Sequence, residues 1–279
     1  MRMNNELQKL HQLELLLADE LVRICKKYNL PIFMLAGTAL GAIRHRGFIP
    51  WDDDMDFGML RSDFEEFKNI CNIELDKSRF FLQSDENDKF YPFNFIKIRL
   101  NGTSVLEEFS QKADVHTGIY IDIFPIDNVS LNPIKRFFQL KGFWFFRNLL
   151  WIKCGYGEDD RKQGVRYRVG RIFSSFFSIY FLKKAKNYFI TLAKNEDADY
   201  VVVSDGSYGL TKETFPKKWL QESDVYMFED RLFTSFQNID IYLKHLYGDY
   251  MQLPPESSRN HHKRLNVNFG IYGENKNDV

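Results

Sequence analysis

Apolar residues recur at helical spacing between residues 5 and 28, where Leu7, Leu10, Leu13, Leu17, Leu21 and Ile24 form a stripe between charged positions. That spacing predicts an amphipathic helix. Pro31 then opens the apolar run IFMLAG, which suits a buried strand, and ALGAIRH beyond Gly37-Thr38 suits a short helix. Gly47 and Pro50 mark a turn, after which MDFGM alternates in strand fashion. Ser62, with Glu65 three residues on, has the pattern of a capping box opening a helix to about residue 73. Strands are predicted at 80–83, 93–100, 103–107 and 119–124, with Asn101-Gly102 signalling a hairpin between two of them.

The pattern changes at residue 131. From Leu131 to Lys186 there are 13 Lys or Arg and 3 acidic residues, in a chain that balances 38 against 38 overall. The same segment holds 14 aromatics, including GFWFFRNLLWIK, and reads as helices broken at GYGEDDRKQG (155–164). Aromatic stripes usually form core. The sharper reading is a surface lying on an anionic membrane through residues 131–186, basic groups at the headgroups and aromatics at the interface. Lys141, Arg147 and Lys153 interrupt the apolar run, which favours lying on a bilayer over crossing it. Beyond it, DYVVVSD (199–205) reads as a strand and 225–236 as a strand or hairpin returning to the sheet. Residues 239–250 read as a helix ending near Gly248, and 254–279 as loop with a mobile last half dozen. The expected fold class is α/β (an α+β mixed sheet). Its core begins in 1–130, takes a helical basic-aromatic insertion at 131–198, and returns over 199–279.

A hydrophobic share of 44% and a charged share of 27% in 279 residues describe a globular chain. Zero formal charge gives no global affinity for polyanions, so no nucleic-acid partner is expected. Cys25, Cys71 and Cys154 form no CxxC pair and suit a reducing compartment. The first thirty residues lack a signal-peptide pattern, and no apolar run is long enough to span a membrane. A cytoplasmic protein, peripheral on the inner face of the plasma membrane, is expected.

The candidate chemistry lies in IPWDDDMDFGM, residues 49–59. Asp54 and Asp56 are two apart, so a strand would turn both to one face while Met55 and Phe57 enter the core. Neighbouring carboxylates repel, and a hard divalent ion such as Mg²⁺, with Mn²⁺ as a substitute, removes that repulsion. Gly37-Thr38 at a helix start is a phosphate seat. Asp122 stands alone in the apolar run IYIDIF, where a carboxylate is costly unless paired or metal-bound. It is expected as a third ligand or as the base that takes a proton from an attacking hydroxyl. Asp127, placed near a turn, is expected to be structural.

A Gly-Ser/Thr turn, a D-x-D pair and a later acid together resemble the nucleotidyltransferase superfamily. More specifically, AGTALGAIRHRGFIPWDDDMDFGM, GIYIDIFPID and LYGDYMQLPPESSRNHH resemble the LicD family of phosphocholine transferases. The resemblance covers about 30–127 and 225–262. It implies transfer of phosphocholine from a CDP-choline donor to a sugar hydroxyl of a lipid-linked glycan acceptor, of teichoic acid or lipopolysaccharide type, with CMP leaving. It carries the metal aspartates onto Asp54, Asp56 and Asp122. In that reading Arg44 and Lys97 (or Arg99, on the same strand face) neutralise phosphate oxygens beside Gly37 and Thr38. Choline is recognised by aromatic faces, and Trp51, Tyr91 and Tyr120, with Phe93 and Phe124, are the candidates. His116, His261 and His262 are read as structural, and Asp52 and Asp53 are left to a bound water, a basic residue or the choline cation. The competing readings are a nucleotidyltransferase acting on an NTP, transfer of another polyol or sugar phosphate, and a non-catalytic membrane-surface binding protein.

Overall fold

The computed structural model describes residues 2–157, 164–256, 259 and 264–273. Helix α1 (Arg2–Tyr28) carries the N-terminal apolar stripe, and Leu10, Leu17 and Leu21 are buried. Strand β1 (Phe33–Met34), helix α2 (Ala36–Arg44), strand β2 (Asp56–Leu60) and helix α3 (Arg61–Glu74) follow. Strands β3 (Phe80–Gln83), β4 (Ile96–Leu100), β5 (Ser104–Glu107) and the ten-residue β6 (Tyr120–Val129) come next. Helices α4 (Pro133–Lys153), α5 (Val165–Ser175) and α6 (Ile179–Ile190) separate β6 from β7 (Tyr200–Val203) and β8 (Thr214–Pro216). The chain continues with β9 (Ser223–Phe228), β10 (Arg231–Phe236), α7 (Ile239–Tyr247) and β11 (Arg264–Asn268).

Seven strands form a mixed sheet in the order β1-β2-β6-β4-β3, with β7 pairing to β6 and β8 to β7. This is an α/β fold, as the sequence pattern predicts. Strand β6 organises it. One edge pairs in parallel with β2, and the other pairs antiparallel with β4 through Ile123 and with β7 from Ile126. Pro125 falls in the gap between those two partners, where a missing N–H is tolerated inside a central strand. Phe57, Ile96, Ile98, Ile121 and Ile123 point to the other face and join Leu17, Leu21, Phe64 and Phe67 in one core. The opposite face of the sheet carries Asp56, Lys97 and Asp122.

The three inserted helices are tied to this sheet by buried polar groups. Gln139 Nε2 donates to Asn128 O (2.7 Å) and to Ile190 O (2.8 Å), joining α4 to β6 and α6. Lys186, fully buried, donates to the carbonyls of Pro92 and Phe93 (3.0 and 2.9 Å) and pairs with Asp85. Leu149, Leu150 and Leu182 of the insertion pack with Tyr91, Phe93 and Phe95 in a second core.

Several local expectations are corrected. Helix α3 begins at Arg61, with Leu60 at its N-cap and no side-chain cap, so Ser62 lies within the first turn and no capping box forms. The strand expected from residue 93 starts at Ile96. Asn101-Gly102 does turn the chain, with Gly102 at φ +76°. However, β4 pairs with β3 and β6 while β5 pairs with β11, so no hairpin joins them. The β9–β10 hairpin forms its own two-stranded sheet rather than returning to the main one, and Ser235 Oγ holds it to Met34 O (2.9 Å). Part of the C-terminal segment expected as loop is strand β11. His261, His262 and the last half dozen residues lie outside the described residues. Asp127 is inside β6 rather than near a turn. Its two oxygens accept from Arg61 Nε and Nη2, both at 2.7 Å.

That Arg61–Asp127 pair locks α3 to the central strand, and Asp127 is almost fully buried. Removing one member leaves a buried charge uncompensated, which costs about 3–5 kcal/mol. Asp127→Ala should therefore lower the unfolding free energy by about 3 kcal/mol in urea denaturation. The apolar double replacement Arg61→Met with Asp127→Leu should recover most of that loss.

Candidate active site

The sheet registers place Asp56 beside Asp122, Asp122 beside Lys97, and Lys97 beside Gln83. Directly paired residues share a face, so the four form a polar row across four strands. Lys97 Nζ donates to both oxygens of Asp122, at 2.6 and 2.9 Å, and lies 3.3 Å from the centre of the Tyr120 ring. Burial works against both charges, lowering the Lys97 pKa and raising that of Asp122, while their mutual attraction opposes it. Arg99, on the same face, donates to Gln83 Oε1 (2.5 Å) and Gly118 O (2.6 Å).

Strand β2 starts at Asp56, so Asp54 belongs to the loop before it. Met55 and Phe57 are buried as the alternation predicts. The loop is pinned from many sides. His11 Nε2 of α1 donates to Asp52 O (2.9 Å), Asp122 N–H to Met55 O (2.8 Å), and Leu35 N–H to Asp56 O (2.9 Å). Thr38 Oγ1 accepts from Asp56 N–H at 2.7 Å. Arg264 Nε of β11 lies 2.8 Å from Asp53 Oδ2. Asp52, Asp53 and Asp54 can each offer a carboxylate oxygen within 4.8 Å of the others. Burial raises the Asp54 pKa well above the usual range, and Asp56, Asp52, Asp53 and Asp122 push it further the same way. An oxygen donor set with this surplus of negative charge fits a hard divalent cation.

A cavity of about 850 Å³ borders this loop and the polar row. Gly37, Asp52, Asp54, Asp56, Lys97 and Asp122 all line it. A Cβ on Gly37 would sit 2.6 Å from Asp52 Oδ2, so glycine is what allows this carboxylate to lie against the start of α2. The helix's own hydrogen bonds begin with Ala39 N–H to Leu35 O (3.0 Å), which puts Gly37 N–H outside that ladder, at the cavity wall. An aromatic wall also lines the cavity. Phe93 stacks on Phe95 (4.8 Å) and meets Tyr91 and Tyr156 edge-on (5.3 Å each), and Phe95 packs on Phe124 at 4.5 Å. The Tyr91 hydroxyl is buried with no hydrogen-bond partner among the described residues.

Other expected site residues sit elsewhere or are already engaged. Arg44 Nη1 donates to Tyr250 O (2.7 Å) and does not line the cavity. Trp51 also lies outside the cavity, beneath the Arg259 guanidinium at 4.4 Å. Thr38 is buried, its hydroxyl holding Asp56 N–H rather than facing the cavity. Tyr120 lines the cavity, but Lys97 covers its ring and its hydroxyl donates to Glu107 Oε1 (2.8 Å). Lys97 lines the cavity with its ammonium committed to Asp122.

Sequence reasoning missed the opposite wall. Lys141, Trp144, Arg147 and Trp151 of α4 line the cavity, as does the loop from Ser204 to Glu213. Arg147 Nε pairs with the buried Asp205 at 3.0 Å, closing α4 onto that loop. The signal was present in the helical spacing of Trp144, Arg147 and Trp151, but nothing local said which face would meet the sheet.

Comparison with known proteins adds to this geometry. Residues 29–150 match the family described as LicD/FKTN/FKRP, nucleotidyltransferase domain. Over 248 residues the chain is 26% identical to the lipopolysaccharide cholinephosphotransferase LicD of Haemophilus influenzae, covering 86% of this chain and 89% of that protein. A stretch of 44 residues is 46% identical to an uncharacterized protein of Rickettsia typhi, and 37 residues are 49% identical to one of Rickettsia prowazekii. Each of these two matches spans 14% of the relative.

Glu213 of the cavity loop yields a pH prediction. Its carboxylate accepts from Tyr208 N–H (3.1 Å), and burial pushes its pKa up to about 7. A raised folded pKa means that the fold binds this proton more tightly than the unfolded chain. The resulting stability is complete below an unfolded pKa of about 4.3 and is lost as pH rises through about 7. Glu213→Gln keeps the neutral shape. Urea titrations should show wild type falling relative to the variant by up to roughly 3 kcal/mol between pH 4.5 and 8.

Proposed function

We infer that this chain, which belongs to the LicD family, is a phosphotransferase that moves phosphocholine from CDP-choline to a sugar hydroxyl and releases CMP. The acceptor in this reading is a lipid-linked precursor of a cell-surface glycan, and the enzyme works at the inner face of the membrane. No helix among the described residues is long and apolar enough to cross a bilayer. The observation that carries the reading is one cavity holding two recognition chemistries. It has a carboxylate row for a metal-bound diphosphate and an aromatic wall for a quaternary ammonium.

In this mechanism Asp54 and Asp56, beside Asp122, would hold a divalent cation, which would supply charge neutralisation for a diphosphate. Gly37 N–H faces the phosphate from the start of α2. Tyr91, Phe93 and Phe95 receive the trimethylammonium group, which fixes the adjoining phosphorus over the acid row. The acceptor hydroxyl attacks that phosphorus, forming a new P–O bond. The P–O bond to CMP breaks, and CMP departs with the electron pair. The acceptor proton passes to the Asp122 carboxylate, which Lys97 holds in place. Most of the acceleration comes from positioning and charge placement.

The test is product analysis with Mg²⁺, CDP-choline and a glycan acceptor. CMP and a phosphocholine-bearing acceptor are expected, whereas pyrophosphate from CTP would overturn the reading in favour of nucleotidyl transfer. Asp56→Asn should lower turnover by roughly 10²-fold or more. It should also leave the melting temperature unchanged or raise it, because it removes one carboxylate from a mutually repelling group.

A further inference from the structure

We propose that the outer face of α4, α5 and α6 seats on an anionic phospholipid bilayer, and that the cavity opens at the edge of that face so that the acceptor is taken from the membrane surface. The uptake clause rests on the phosphotransferase reading; the docking clause does not.

Helices α4, α5 and α6 contain five, three and three Lys or Arg and no Asp or Glu. Part of that charge is used internally by Arg147, Lys153 and Lys186. Arg136, Lys141, Arg168, Arg171 and Lys184 are exposed. Among them runs an apolar stripe at helical spacing: Ile134, Phe137, Phe138 and Phe145 on α4, with Lys141 in its midst. Val169, Ile172 and Phe173 continue it on α5, with Phe176 at its C-cap, and Tyr180, Phe181 and Tyr188 on α6. The exposures are large for such side chains, 58% for Phe137, 77% for Phe176 and 71% for Tyr180. Ring contacts make the patch continuous across the three helices. Phe145 meets Phe173 (6.3 Å), Phe173 meets Phe177 (5.8 Å), Phe177 stacks on Phe181 (5.3 Å), and Phe181 meets Phe146 (6.1 Å).

A contiguous apolar patch of this kind marks an interaction surface, and its charge selects the partner. A second copy of the chain would set one wholly basic face against another. An anionic lipid surface complements it, taking the aromatics at the acyl boundary and the Lys and Arg groups at the headgroups. Lys184 lies 5.6 Å from the Tyr180 ring centre, an arrangement of charge above aromatic suited to that boundary. Helix α4 connects the surface to the site. Lys141 and Trp144 are exposed and also line the cavity, and Arg147 and Trp151 continue its wall one and two turns further along α4.

The experiment is sedimentation of the full chain with vesicles of phosphatidylcholine alone or mixed with phosphatidylglycerol, at low and high salt. Binding is expected only to the anionic vesicles and only at low salt. The pairs Phe137→Ser with Phe176→Ser, and Arg136→Glu with Lys184→Glu, should each weaken it by roughly tenfold or more. Turnover of a water-soluble acceptor should stay at the wild-type level, while turnover of a vesicle-embedded acceptor falls with vesicle binding. Failure of wild type to sediment with anionic vesicles, or unchanged binding by both variants, overturns the docking. Light scattering that shows a dimer lost in the variants, without vesicle binding, overturns it in favour of a second copy. Vesicle binding with unaltered use of the embedded acceptor by the variants overturns the uptake clause alone. Vesicle binding with no CMP released from CDP-choline under any condition upholds the docking and removes the phosphotransferase reading.

Discussion

Gathering like charges at the edge of a core is the constraint on which this structure turns. Asp52, Asp53, Asp54, Asp56 and Asp122 converge around the start of β2. Glu14 of α1 is buried behind them, and its pKa is driven well above the usual range by burial, then by Asp53 and Asp52. Left to themselves these groups would separate, take up protons or draw in water. The fold holds them by spending contacts from distant segments: His11 from α1, Thr38 from α2, Lys97 from β4 and Arg264 from β11. Two of those contacts are cations that pair with Asp122 and Asp53. The repulsion that remains is centred on Asp54, and it is what a divalent cation would relieve in the proposed mechanism.

The second layer of the architecture is the inserted helical segment, which has an inward and an outward face. Its inward residues complete the second core with Tyr91, Phe93 and Phe95, so the reading of its aromatics as core holds for that face. Its outward residues remain exposed. The Arg147–Asp205 pair fastens α4 over the sheet, and the same guanidinium lies 5.8 Å from the Phe93 ring and 5.9 Å from the Trp151 ring. Aromatic faces in this cavity therefore already accommodate a cation supplied by the protein, which is the chemistry a quaternary ammonium group would use.

Local patterns made the acid residues legible, and long-range pairing decided the rest. Alternation in MDFGM gave the buried Met55 and Phe57, and a lone carboxylate in an apolar run marked Asp122. That Asp56 and Asp122 stand side by side depends on a parallel register between β2 and β6, which no local spacing encodes. The same register problem explains Lys97, whose strand face was legible but whose partner across β6 was not. Arg44 and Trp51 are near the acids in sequence, yet the helix and turn that carry them direct one to Tyr250 and the other beneath Arg259. Ser62 matches a cap motif. However, β2 runs directly into α3, and Arg61 is drawn to Asp127 at the first helical position. Strand β11 is five residues of mixed polarity, and only its partner β5 makes it a strand.

The run of four aspartates divides by direction. Asp54 and Asp56 face the cavity, Asp52 lies against Gly37, and Asp53 turns toward Arg264. Asp53 therefore adds a tether as well as a charge. Through Arg264 it binds the acid loop to β11, which is paired to β5, whose Glu107 receives the Tyr120 hydroxyl. Tyr120 in turn lies under Lys97, the partner of Asp122. The acid loop and the acid strand are thus joined twice, directly through the β2–β6 register and indirectly around the cavity floor through β11 and β5. Loss of the Arg264 charge would remove the cation that faces Asp53 where it is buried beside Glu14. The loop would lose its tether at the same time, so a residue remote in sequence helps to hold both the position and the charge of the site.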